Sequence, residues 1–280
     1  MNDEKSANGC GLRRFLFFFR RLIMSLKYCF EKNRVKATLQ SLKKSDLAVI
    51  DSDGIPDSVI RAAVRRGVFV YDYENAGAIE KERSYFRKFQ GSLLAAYSGW
   101  PGEFWVDPTT AAWKRHLIET AEAKKKKGAI GLYFDNADIY WMCLEGFQEE
   151  GARMMRSAPN PDKVYASLVE VIREIVEGLG VIVMPNGADV FVRRMFSEGH
   201  GYLIRTVNQE GVLYENNKRQ SNEETAYRTT YLDWAKKKGL YVRGIEYTKS
   251  KTAAAKARAY YKKHGWQGLY ISKHKNLEGD

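Results

Sequence analysis

The sequence predicts a closed (β/α)8 barrel of parallel strands, and three observations carry that fold class. Eight short β-rich runs alternate with longer helical stretches along the 280 residues. Several of the runs are apolar almost throughout, as strands covered on both faces must be. The connections between them are mostly crossovers, which implies parallel pairing with right-handed returns. Eight such units in this length close most economically into a barrel. A doubly wound open sheet is the weaker alternative, because no G-x-G-x-x-G follows any strand.

The first two strands are expected at 26–30 (LKYCF) and 47–51 (LAVID). PDSVIRAAVRRG, 56–67, then reads as a helix with a proline start and a glycine stop. The third strand, VFVYDYE at 68–74, leads into a long connection over 75–107. Within it, SLLAAYSGWPGEFWVDP suggests a small extra strand and a loop over the barrel mouth. DPTTAAWKRHLIETAEAKKKKG (107–128) ends in four lysines and a glycine, where a helix C-terminus favours cations. IGLYFDN (130–136) is the fourth strand and GVIVMPN (180–186) the fifth, with the helix PDKVYASLVEVIREIVEGLG between them. GVLYEN (211–216) is expected as the sixth strand, YVRGIEYT (241–248) as the seventh and GLYIS (268–272) as the eighth. The helices NEETAYRTTYLDWAKKKG and SKTAAAKARAYYKKHG separate the last three.

Hydrophobic residues at 44% and aromatics at 13% exclude a disordered chain. The net charge of +12 is spread along the sequence, which points to a solvated basic surface and away from nucleic acid as a partner. Cys10, Cys29 and Cys143 lack the spacing of a zinc site or a disulfide framework. The four histidines form no ligand pattern either, so no metal and no cofactor are expected. In GLRRFLFFFRRLIM (11–24) Arg20 and Arg21 interrupt the apolar run after five residues. A signal core wants about 7–15 apolar residues and a membrane span about 20. Residues 1–24 are therefore expected to be a basic, aromatic extension, helical over 12–24, and 25–280 a single barrel domain. No stable membrane insertion is expected, and the cytoplasm is the default compartment.

A barrel of this kind carries its site at the C-terminal ends of its strands. Those ends offer Asp51 and Asp53, Asp72 and Glu74, Asp135 and Asp138, Asn186, Glu215 and Glu246. Aromatics interleave with them, among them Tyr73, Tyr140 and Tyr247, with Trp100 and Trp105 on the long connection. Singly, each acid has a structural reading: Asp138 as a helix cap, Glu246 paired with Arg243, Glu215 solvated in a polar loop. Gathered at one face, they suit a sugar site. Glycoside cleavage needs one carboxyl group to protonate the leaving oxygen and a second to attack the anomeric carbon or activate water. Aromatic rings supply platforms for the apolar faces of the sugars.

In order along the chain, LAVID, YENAGAIEKER, WPGEFWVDPTTAAW, GLYFDNAD, MPNG, GVLYEN and GIEYT resemble the landmarks of glycoside hydrolase family 114. These are the endo-α-1,4-polygalactosaminidase-like (β/α)8 proteins, and the resemblance runs from about Asp46 to Ile271. It implies Asp135 and Glu215 as the catalytic carboxylates, with Asp135 as nucleophile or stabiliser and Glu215 as acid/base. It further implies Asp51, Tyr73, Asp107, Asp138, Asn186, Glu246 and Tyr247 as positions shaping the sugar site, beside the aromatic candidates Trp105 and Tyr140. The implied partner is an α-linked galactosamine or N-acetylgalactosamine polysaccharide. A basic exterior would repel a fully cationic polymer, which favours an acetylated or mixed one. The sequence departs from the family at Gly77-Ala78, where relatives often carry Gly-Glu. A carbohydrate-binding barrel without hydrolytic activity is the alternative from another class.

Overall fold

The computed structural model describes residues 25–148 and 154–277; the extension 1–24 lies outside the described residues. Among the described residues, eight parallel strands line the barrel: β1 (Leu26–Cys29), β2 (Leu47–Ile50), β3 (Phe69–Asn75), β4 (Gly131–Asp135), β5 (Ile182–Pro185), β6 (Thr206–Glu210), β7 (Tyr241–Tyr247) and β8 (Gly268–Ser272). Strands β1 to β5 are hydrogen-bonded in chain order, and so are β6 to β8. Parallel bridges from Val183 to Ile204 and from Asn186 to Asn208 join β5 to β6. The ring closes where β8 meets β1, with the Tyr28 and Tyr270 rings 5.4 Å apart.

The outer layer holds α1 (Lys32–Ser41), α2 (Asp57–Arg65), α3 (Ala111–Lys127), α4 (Ile139–Leu144), α5 (Pro161–Arg173), α6 (Asp189–Ser197), α7 (Asn222–Lys237) and α8 (Lys251–His264). Local chemistry sets their ends. The side chains of Thr110, Asn160, Ser221 and Ser250 accept first-turn backbone N–H groups of α3, α5, α7 and α8. Helix α3 stops at Gly128, whose φ of +113° suits glycine. The lysine run fills its last turn, and Lys124 turns inward to pair with Glu74 at 2.6 Å. No helix among the described residues is long and apolar enough to cross a membrane.

The sixth strand differs from the sequence expectation. It is TVNQE, Thr206–Glu210, whereas 211–216 is a loop ending in a two-residue hairpin strand, Tyr214–Glu215. The reason lies in the alternation of side chains. Along β6, Thr206, Asn208 and Glu210 face the barrel interior, so the strand lacks the apolar run that marks its neighbours. GVLYEN is apolar because its Val212 and Leu213 pack into the outer core.

The same alternation sorts the other strand ends. Tyr28, Leu47, Val49, Tyr71, Tyr133, Met184, Ile245, Tyr247 and Tyr270 fill the lumen. Residues one step away point outward, and so Asp72, Glu74 and Glu246 turn from the mouth to the helices. The long connection 75–107 holds three short strands where one was expected. Ala78–Glu80, Glu103–Val106 and Leu93–Ala96 form an antiparallel sheet with Glu103–Val106 in the middle.

Candidate active site

At the C-terminal mouth, Asp135 of β4, Asn186 after β5, Glu210 of β6 and Tyr247 of β7 come together. The Asn186 side-chain amide donates to Asp135 Oδ1 at 3.0 Å and to Glu210 Oε1 at 2.9 Å. Those two carboxylate oxygens are therefore no further apart than the two bonds laid end to end. Beneath them, Asn208 fixes which way the amide faces. Asn208 donates to Asn186 Oδ1 at 2.8 Å and itself accepts the Tyr28 hydroxyl at 2.8 Å. With its oxygen engaged below, Asn186 must aim its nitrogen at the acids.

Glu210 accepts two further hydrogen bonds, from Tyr133 at 2.6 Å on Oε1 and from Tyr247 at 2.5 Å on Oε2. Asp135 Oδ1 also accepts the Asn136 backbone N–H at 3.0 Å. Burial, and next the negative charge of Glu210, push the Asp135 carboxyl well above the usual carboxylate range. The Asn186 amide pulls the other way. Burial, with Glu210 second, also raises the Tyr133 and Tyr247 hydroxyls well above their ordinary value, so both remain protonated donors.

Glu215, expected at the end of the sixth strand, lies beyond it. Its carboxylate folds back over Gly211, 4.0 Å from the Arg228 guanidinium. Burial and then the charge of Glu210 raise its pKa. Glu210 takes the strand-end position, and sequence reading passed over it because its strand is polar on the inside. The signal was the period-two pattern Thr206, Asn208, Glu210.

The other expected residues divide into a rim and a scaffold. Asp51 sits on the rim, 2.9 Å from Arg83, which also binds Asp53 at 3.4 Å and Glu80 at 3.0 Å. Tyr73 donates to Glu80 at 3.2 Å, and its ring stacks on Tyr133 with centroids 6.3 Å apart. Asp138 accepts the Ala188 N–H at 3.0 Å, holding the loop after Asn186 at the entry to α6. Asp107 binds the Thr109 N–H and hydroxyl at 2.9 and 2.7 Å and so shapes the turn into α3.

Three expected sugar contacts are buried away from the mouth. Trp105 is 2% exposed, stacked on Tyr97 in the small sheet at 4.4 Å. Trp100 is the exposed indole of that connection, with the Lys275 ammonium 4.5 Å above its ring. Tyr140 packs between Tyr165 and Phe191 outside the barrel wall. Glu246 is fully buried and fastens the loop after β6, accepting the Leu213 N–H at 3.0 Å and the Tyr214 N–H at 2.6 Å. Burial raises its pKa to about 7, and those backbone donors oppose the shift.

A parallel barrel with two carboxylates on a shared amide at its C-terminal mouth, over a bed of tyrosines, suits a glycoside hydrolase. The chain belongs to glycoside hydrolase family GH114, whose sequence model matches residues 24–279. The fold is similar to the glycoside hydrolase domain of PelA from Pseudomonas aeruginosa, with a TM-score of 0.71 and 14% identity over 91% of this chain and 96% of that one. It is also similar to Ega3 of Aspergillus fumigatus, solved in complex with galactosamine, with a TM-score of 0.67 and 15% identity over 91% and 92%. An uncharacterized protein of Thermotoga maritima is 25% identical over 197 residues, 67% of this chain. That match spans 58% of the relative's length.

Proposed function

We propose that the protein is a retaining endo-glycosidase acting on an α-linked polysaccharide that contains galactosamine or N-acetylgalactosamine, with Asp135 as nucleophile and Glu210 as acid/base. The observation that carries this is the Asn186 amide, bonded to Asp135 and Glu210 at 3.0 and 2.9 Å. A separation bounded by those bonds is compatible with the roughly 5–5.5 Å of retaining pairs and falls short of the roughly 6.5–9.5 Å that inverting pairs need for water. The substrate class follows from the family and from the galactosamine held by the similar Ega3.

The division of roles follows from the partners of each acid. Asp135 Oδ1 is held by two N–H donors. An N–H cannot accept a proton in return, so these partners favour the anion and leave Oδ2 to attack the anomeric carbon. Two of the three partners of Glu210 are tyrosine hydroxyls, which either donate or accept. Glu210 therefore keeps hydrogen bonds both as acid and as carboxylate. Protonated, it gives its proton to the leaving glycosidic oxygen while the Asp135–sugar bond forms. It then takes a proton from water, whose oxygen displaces Asp135 from the sugar. While Glu210 holds the proton its charge no longer opposes ionisation of Asp135.

The test is release of reducing ends from galactosamine and N-acetylgalactosamine polymers by wild type, Asp135→Asn, Glu210→Gln and Glu215→Gln. The first two variants should lose at least about 10³-fold in rate, within the range of a lost acid/base or nucleophile. Glu215→Gln should lose far less. Equal loss in Glu215→Gln and full activity in Glu210→Gln would return the acid/base role to Glu215. Wild type binding these polymers without cutting them would favour the binding-barrel alternative.

A further inference from the structure

Glu103 comes from the middle strand of the small sheet, outside the barrel, yet its carboxylate reaches the back of the site. It is 8% exposed. Its Oε1 accepts from the side-chain amides of Asn75 at 2.8 Å and Asn136 at 2.9 Å. Asn136 also donates to Asn75 Oδ1 at 3.0 Å, and that oxygen accepts the Ala78 N–H at 2.8 Å. The ends of β3 and β4 and the small sheet are thus tied at one point.

The tied residue is the one whose backbone holds Asp135. Asn136 has a φ of +57°, a left-handed conformation that asparagine adopts more readily than most residues. In that conformation its N–H meets Asp135 Oδ1. Its carbonyl lies so close to Gly77 that a Cβ there would overlap it. The loop after β3 and the residue after Asp135 therefore fit each other only with glycine at 77.

We propose that Glu103 is a positioning residue for Asp135: by locking the Asn136 amide it keeps the Asn136 backbone N–H, and with it the Asp135 carboxylate, in attacking geometry. The inference rests on Asp135 being the nucleophile. Glu103 itself is screened from substrate by its burial, and its part in the reaction passes through Asn136. This also gives the long connection between β3 and α3 a part behind the nucleophile, beside the rim contacts that its Glu80 and Arg83 make.

The experiment compares kcat and KM on a soluble substrate for wild type, Glu103→Ala, Glu103→Gln and Asp135→Asn, with circular dichroism as the check on folding. Loss of a lock that sets the nucleophile to within about an ångström should lower kcat about 10²-fold in Glu103→Ala, with KM changed less than about threefold. Glu103→Gln keeps an accepting oxygen for both amides and should recover kcat to within about threefold of wild type. If the alanine variant fails to fold, the glutamine variant decides. A glutamine variant as slow as Asp135→Asn would overturn the proposal, since geometry without charge would then not suffice. A rise in KM at unchanged kcat would also overturn it, marking Glu103 as a substrate contact. Asp135→Asn at wild-type activity would instead remove the nucleophile reading itself, and this inference with it.

Discussion

Removing the amide that joins the two carboxylates should move the pH profile in a definite direction. In Asn186→Ala both acids lose a donor, at 3.0 Å for Asp135 and 2.9 Å for Glu210. A hydrogen bond to a charged group is worth about 1.5–3 kcal/mol. At about 1.4 kcal/mol per tenfold change, that is roughly a 10- to 100-fold effect on a carboxyl–carboxylate equilibrium. The repulsion it helps to offset is of the same order: two unit charges roughly 5–6 Å apart at an effective dielectric of about 20 repel by about 3 kcal/mol. The sign follows from which form the donor favours. The amide stabilises the Asp135 anion, so its loss raises a pKa that burial and Glu210 already hold high. In the proposed mechanism attack requires that anion, and the acid limb of kcat/KM should therefore shift up by about 1–2 pH units. The assay is kcat/KM on a soluble oligosaccharide between about pH 3 and 9, with the melting temperature of each variant as the check on folding. An acid limb superimposable on that of wild type, or one shifted downward, would refute the coupling of the two acids through Asn186.

Two further outcomes concern residues the sequence assigned to substrate. Glu246→Ala leaves the buried Leu213 and Tyr214 N–H groups without their acceptor. It should cost about 2–6 kcal/mol in urea unfolding, at about 1–3 kcal/mol per orphaned donor, and an unchanged midpoint would count against the anchoring role. Trp105→Ala should destabilise by about 3–5 kcal/mol as a core truncation. A melting temperature equal to wild type with only KM raised would return Trp105 to the sugar site.

The barrel was legible because its evidence is local. Apolar strands, proline and glycine stops and capping residues such as Thr110 and Ser250 each state their element within a few positions. Asp135 was legible for the same reason, since an apolar strand delivers it to the mouth. Glu210 was not, because β6 is polar inward and the apolar run beside it, Val212-Leu213, packs into the outer core. Glu246 was misassigned by one step of the strand period: its neighbour Tyr247 faces the mouth and it does not. Trp105 and Glu103 were beyond sequence reading for another reason. Both lie on a strand whose neighbours come from elsewhere in the connection, and only the fold shows that one of its side chains stays in the small sheet while the other reaches Asn136.

The placement of charge reconciles a basic protein with an acidic centre. On the β2–β3 rim, Asp51, Asp53 and Glu80 are tied to Arg83, and Lys32 adds a second cation at Asp53. Toward β6, Glu215 has Arg228 at 4.0 Å. At the centre the partners change in kind. Asp135 is held by backbone and side-chain amides, Glu210 by an amide and two hydroxyls, and Glu103 by two amides. These donors hold a carboxylate in place without cancelling its charge. A guanidinium in the position of Asn186 would keep both acids ionised and leave no proton for the leaving oxygen. It would also oppose the positive charge that develops on the sugar ring in an oxocarbenium-like transition state. Neutral donors avoid both effects, and they leave in place the burial and the Glu210 charge that raise the Asp135 carboxyl. The rim can afford arginine because its acids shape the entrance, whereas under the proposed mechanism the centre requires asparagine and tyrosine because its acids would change protonation state during each turnover.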